Sequence, residues 1–145
     1  TGFGLTKNGG IAAEAVVMFD QAMAEQFAFR RKRAGHLWSK QRFLAAQWLA
    51  LLKDDLWLSN ARHANAMAQR LATGFTTHPG IELPWPVDAN ELFPVIPDHI
   101  RVRFREAGLE FYDWPAQSDM TRFVTHFATD PEDIERAIEI IASTK

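Results

Sequence analysis

The chain has 145 residues, of which 47% are hydrophobic, 23% charged and 12% aromatic, enough for one domain with a buried core and too apolar for extended disorder. Its 16 basic and 18 acidic residues leave a formal net charge of −2, so no global charge draws it toward nucleic acid or anionic lipid. The absence of cysteine excludes disulfides and thiol catalysis and fits a cytoplasmic protein, and no apolar run approaches the ~18 residues that suggest a membrane-spanning helix.

The chain opens on Thr1 with neither an initiator Met nor a signal peptide. Residues 1–10 are too glycine-punctuated for a regular helix or a central strand. Residues 11–19, IAAEAVVMF, are nearly continuously apolar, and their length and Val pair predict a strand covered on both faces. Glu14 would then be a buried carboxylate in need of a cation or hydrogen bonds. Asp20 reads as an N-cap, followed by one helix over residues 21–33 that stops at Gly35.

Two long helices follow. Leu37, Leu44, Trp48 and Leu51 share one face of the first, and Trp57, Ala61, Ala64, Ala68 and Leu71 one face of the second, which Gly74 closes. Lys53-Asp54-Asp55 marks the bend between them. Beyond Gly80, short strands are predicted at 81–83, 90–95, 109–112 and 120–127, with a helix at 98–107 ended by Gly108. Pro94 pushes its strand to an edge or breaks it. The last helix has two possible starts: a capping box of Thr129 with Glu132, or an Asp130 cap with Pro131 at the first helical position. Ile134, Ala137, Ile138 and Ile141 give its buried stripe. The pattern predicts an α+β architecture: a helical middle, then a small sheet of short strands backed by two helices.

Three places could carry chemistry. Lys7 sits in Thr6-Lys7-Asn8-Gly9-Gly10, where glycines allow a tight turn that fixes the ammonium. A lysine near apolar cover can lose its proton and act as an amine nucleophile, forming a Schiff base; otherwise Lys7 is a solvated loop lysine. The run Arg30-Arg31-Lys32-Arg33, with Lys40 and Arg42 beyond it, complements a helix C-terminus or grips a phosphate or a partner subunit. Arg122 alternates with Val124 and His126 on one strand face, where it offers a fork to a carboxylate or is an exposed or acid-paired arginine. The histidines (36, 63, 78, 99 and 126) have no metal-ligand spacing, no serine lies in G-x-S-x-G, and no phosphate-loop motif is present.

The segment Phe3-Gly-Leu-Thr-Lys7-Asn-Gly-Gly, followed by AAEAVVMF, resembles the pyridoxal-lysine segment of low-specificity L-threonine aldolases. These are pyridoxal 5′-phosphate (PLP) enzymes of the aminotransferase-like superfamily. The resemblance continues through FRRKRAGHLWSKQRFLAAQ (29–47), HANAMA (63–68), EFYDW (110–114) and TRFVTHFAT (121–129), in order along nearly the whole chain. It implies part of an α/β PLP-dependent transferase fold: residues 1–35 end the large domain, 36–75 are linking helices, and 76–145 form the small C-terminal domain. By the same resemblance, Lys7 carries PLP as a Schiff base, Lys40 reaches the cofactor phosphate, from a neighbouring subunit, and Arg122 holds the amino-acid carboxylate. Pro94 departs from the apolar residue expected in the family's matching strand.

The implied reaction is aldol cleavage of a β-hydroxy-α-amino acid, L-threonine or L-allo-threonine, to glycine and acetaldehyde, with the pyridine ring as electron sink. The family's remaining catalytic groups lie upstream of the lysine. The chain is therefore expected to be an incomplete C-terminal fragment, inactive alone, that works with the missing N-terminal part in a homodimer or homotetramer. Alternative readings are a β-eliminating lyase or aminotransferase of the same superfamily, or a non-catalytic helical interaction module built on Arg30 to Arg33.

Overall fold

The structure, a computed structural model, describes residues 1–115 and 119–144, which cluster into two compact units, Thr1–Leu58 and Ser59–Lys145. In the first unit, β1 (Gly2–Gly4) pairs antiparallel with β2 (Glu14–Val16), with Phe3 opposite Ala15. A 3-10 turn, Thr6–Asn8, lies between them. The strand expected over residues 11–19 is thus cut to three residues. Ala12 adopts a left-handed φ of 52°, which breaks the extended run, and Ile11 is 79% exposed. Only Ala13 is buried in this stretch, and Glu14 is exposed, so it is not the buried carboxylate the apolar pattern suggested.

The helix predicted over 21–33 forms as two pieces, α1 (Gln21–Ala24) and α2 (Phe27–Arg33). Asp20 caps α1 as expected, its Oδ1 accepting from the Ala22 N–H at 2.9 Å. Gln26, at φ −112° and ψ 9°, leaves the helical region and separates the two. Gly35, at φ 78°, ends α2 in the conformation only glycine adopts without strain. Helix α3 (Arg42–Leu52) turns Leu44, Trp48 and Leu51 onto Leu5 and Ala13, making a small core; Leu37 precedes the helix and takes no part. The predicted bend is real: Asp54 and Asp55 take φ of 54° and 56° before α4 (Leu56–Phe75) begins.

The second unit has the larger core. Its three-stranded sheet runs β3-β5-β4, all antiparallel: β3 (Glu91–Leu92), β4 (Tyr112–Asp113) and β5 (Thr121–Val124). The 81–83 candidate survives as a single bridge, Glu82 to Val95, and Val95 bridges on to Met120. Pro94, without an N–H, interrupts the ladder between β3 and Val95, while its carbonyl accepts from the Thr121 N–H at 2.9 Å. Helix α5 (Asp98–Glu106) ends before Gly108, at φ 73°. Helix α6 (Pro131–Ala142) resolves its two possible starts in favour of Asp130, whose Oδ1 accepts from the Glu132 N–H at 2.9 Å. The Thr129 hydroxyl instead accepts from the His126 N–H at 2.8 Å. Phe75, Phe104 and Phe123 meet between sheet and helices, with ring centroids 5.3 to 6.2 Å apart. Among the described residues, no helix is long and apolar enough to cross a membrane.

Gly74 has a different job from the one expected. It lies inside the last turn of α4, where an added Cβ would stand 2.4 Å from Ile138 Cγ1 of α6. Its lack of a side chain lets α6 approach. Gly74→Ala gains roughly 1 kcal/mol of helix propensity but incurs an overpacking cost of about 1–3 kcal/mol. We expect a net loss in urea denaturation, recovered in part when Ile138→Ala is added. A lower midpoint unaffected by the second change would contradict this account.

Candidate functional site

Lys7 sits at the centre of the 3-10 turn, exposed, on a backbone held from several sides. Leu5 is the pin. Its side chain is buried with Ala13 and Leu51, and its N–H donates to the Ala13 carbonyl at 3.1 Å. The Leu5 carbonyl accepts from both Asn8 and Gly10 N–H at 2.9 Å, closing the turn around the lysine. Gly9 supplies a φ of 99°, and a Cβ at Gly10 would lie 2.5 Å from Leu5 Cβ, so the turn requires both glycines. Asn8 Nδ2 donates to the Trp57 carbonyl at 2.9 Å, and Ile11 N–H donates to Gln47 Oε1 at 2.6 Å. A base set this firmly suits a side chain that must present one nitrogen in one place.

The same unit contains a cleft of about 640 Å³ whose lining includes Glu14, Phe27, Arg30, Arg31, His36 and Trp38. Two arginines and a histidine thus line it beside one acidic residue. This separates the basic run into parts: Arg30 and Arg31 reach the cleft, while Lys32 and Arg33 are exposed in the last turn of α2. Lys40 is exposed in the turn before α3, where its carbonyl accepts from the Phe43 N–H at 3.1 Å. Neither Lys7 nor Lys40 is among the residues lining the cleft.

Arg122 belongs to the second unit, in the middle strand β5. Thr121, Phe123 and Thr125 are buried toward the core, while Arg122 and Val124 alternate onto the other, half-open face. Arg122 Nη2 donates to Glu91 Oε1 at 2.6 Å. The sequence did not single out Glu91, because which residues meet across a sheet depends on strand register rather than local pattern. A second ionic cluster was also missed: Arg101 is buried among Asp98, Asp113 and Asp119. Among the described residues, three histidines bond to backbone: His63 Nε2 donates to the Thr129 carbonyl at 2.8 Å, His78 Nε2 to that of Thr144 at 2.9 Å, and His126 Nδ1 accepts from the Ala128 N–H at 3.1 Å. Among the described residues, no group of three or more acidic or histidine side chains is placed to hold a metal ion.

No protein-family model matches the chain. Its sequence is 41% identical to a low-specificity L-threonine aldolase of Pseudomonas aeruginosa over 138 residues, covering 95% of this chain and 39% of that protein. A low-specificity L-threonine aldolase of a second Pseudomonas strain is also 41% identical, over 88% of this chain and 37% of that protein. The solved structure of Leishmania major threonine aldolase superposes with a TM-score of 0.79 and 27% identity, over 89% of this chain and 38% of that one. The mixed helix-and-sheet fold of the chain thus matches a segment of a threonine aldolase. Its sequence is similar to low-specificity L-threonine aldolases, and it spans about two-fifths the length of the relatives it matches.

Proposed function

We propose that this chain is part of a PLP-dependent threonine aldolase, a carbon–carbon lyase that cleaves L-threonine or L-allo-threonine to glycine and acetaldehyde. The observation that carries the reading is the 41% identity to a low-specificity L-threonine aldolase along 95% of the chain. The donor set suits the cofactor. Lys7 offers an amine for its aldehyde, on a turn closed so tightly at Gly10 that a Cβ would not fit. Arg30, Arg31 and Lys40 are cations of the kind that bind a phosphate, and Arg122 is the fork for an amino-acid carboxylate. PLP, when bound, supplies the electron sink that makes a bond at the α-carbon cleavable.

The chain's own residues then have distinct tasks. Lys7 would hold the cofactor through Nζ, and as a free amine Nζ would be able to hold or move a proton at the substrate. Arg122 binds the α-carboxylate and so orients the amino acid. Lys40 serves a phosphate in a neighbouring subunit, which makes the working form a homo-oligomer. Large exposed side chains in the first unit, Phe19 at 88% and Phe29 at 77% among them, support cover by further polypeptide, as does the greater length of the relatives.

Reductive trapping tests the assignment. Protein of the relatives' full length is incubated with PLP, treated with borohydride, digested and mapped by mass. The expected result is one modified peptide, carrying the label on Lys7. A label on any other lysine, or none, would overturn the reading.

A further inference from the structure

Arg122 and Glu91 form a pair whose arrangement goes beyond carboxylate binding by an arginine alone. Glu91 stands opposite Val124 in the β3–β5 register, which makes it the diagonal neighbour of Arg122 on the half-open sheet face. The Nη2–Oε1 distance of 2.6 Å is that of a strong charge-assisted bond. The two side chains are 29% and 31% exposed, so water screens the pair only in part.

Arg101 provides the contrast within the same unit. Three carboxylates, those of Asp98, Asp113 and Asp119, surround its buried guanidinium, as befits a cation whose role is to hold structure. The ion pair seen for Arg122 among the described residues is with one carboxylate, through one nitrogen of a group that carries five N–H donors. An arginine so held has its head fixed on a central strand and keeps donors for a second, bidentate carboxylate.

We propose that Glu91 is a positioning residue that orients the Arg122 guanidinium and tempers its affinity for the carboxylate of the amino acid. The proposal rests on the reading of Arg122 as the carboxylate-binding group. The side chain of Glu91 acts twice. Its oxygen restrains a side chain that otherwise has many rotamers, and its charge repels an incoming anion. The amino acid therefore meets a guanidinium that is well placed but already partly neutralised, which favours release of the amino-acid product.

The test uses PLP-loaded protein of the relatives' full length, with glycine binding measured by calorimetry and threonine turnover measured alongside. Glu91→Gln keeps the oxygen acceptor and removes the charge. It should tighten glycine by about five-fold, the order expected for one partly screened charge, with kcat changed less than two-fold and the melting temperature unmoved. In an Arg122→Ala background the same substitution should do nothing. Should Arg122→Ala weaken glycine ten-fold or more while Glu91→Gln shifts it less than two-fold, the role of Glu91 is refuted and the carboxylate reading stands. An equal effect of Glu91→Gln in both backgrounds also refutes it, since the residue then acts without Arg122. If Arg122→Ala leaves glycine binding unchanged, the carboxylate reading fails, and the proposal with it.

Discussion

Lys7→Ala, introduced into the full-length, PLP-loaded protein, is expected to lower threonine cleavage by on the order of 10³ or more. The thermal midpoint of the isolated chain should barely move. The side chain is exposed, and the turn around it is closed by the Asn8 and Gly10 N–H groups on the Leu5 carbonyl. A surface truncation of this kind changes stability by about 0.5 kcal/mol or less. Lys7→Arg should be equally inactive, because it keeps the positive charge and loses the amine, and a guanidinium stays protonated near neutrality. The comparison separates a nucleophile from a mere counter-ion. Turnover by Lys7→Arg within ten-fold of the unaltered protein would show that charge, not the amine, is what matters at this position.

The second large effect is on stability. Phe104 is 0% exposed and packs its ring against Phe75, Phe111 and Phe123 at centroid distances of 6.2, 6.2 and 5.9 Å. Truncation to alanine removes its apolar transfer energy and leaves a cavity that the sheet and helices fill only in part, at a cost of about 3–5 kcal/mol. Domains are typically stable by only about 5–15 kcal/mol, so a steep fall in melting temperature is expected by circular dichroism. Phe29→Ala is the matched control: Phe29 is 77% exposed on α2, and its loss should cost about 0.5 kcal/mol or less in the isolated chain. Equal losses at the two positions would mean that the core of the second unit is not where the structure places it.

How much of this was legible in the sequence follows the range of the forces involved. Caps and stops are local, and Asp20, Asp130, Gly35 and Gly108 all perform the roles their residue types suggest. The sheet-face alternation around Arg122 was also readable, because a period of two needs only a few residues. Non-local choices were not. The apolar run 11–19 looks like a doubly covered strand, yet Ala12 turns it and only Ala13 is buried, because the described residues around it supply little cover. Gly74 sits where a helix stop is usual, and its actual reason, the approach of Ile138, lies 64 positions further on in the chain. The Arg122–Glu91 pair and the cleft faced by Arg30 and Arg31 likewise depend on segments that meet only after folding.

The pinning of Leu5 carries a further consequence. One carbonyl accepts the two amides that shape the lysine turn, while the side chain of the same residue is clamped in the small core beside Ala13 and Leu51. Core and lysine turn are therefore joined through Leu5, alongside the Asn8–Trp57 and Ile11–Gln47 bonds. A slackened contact at the buried end tilts the exposed end, so a substitution that never meets a ligand can present itself as a defect in chemistry. With Lys7 in the role proposed above, screens for inactive variants would return positions such as Leu51 alongside Lys7, and the two kinds would be told apart by asking whether the fold or the nitrogen had been lost.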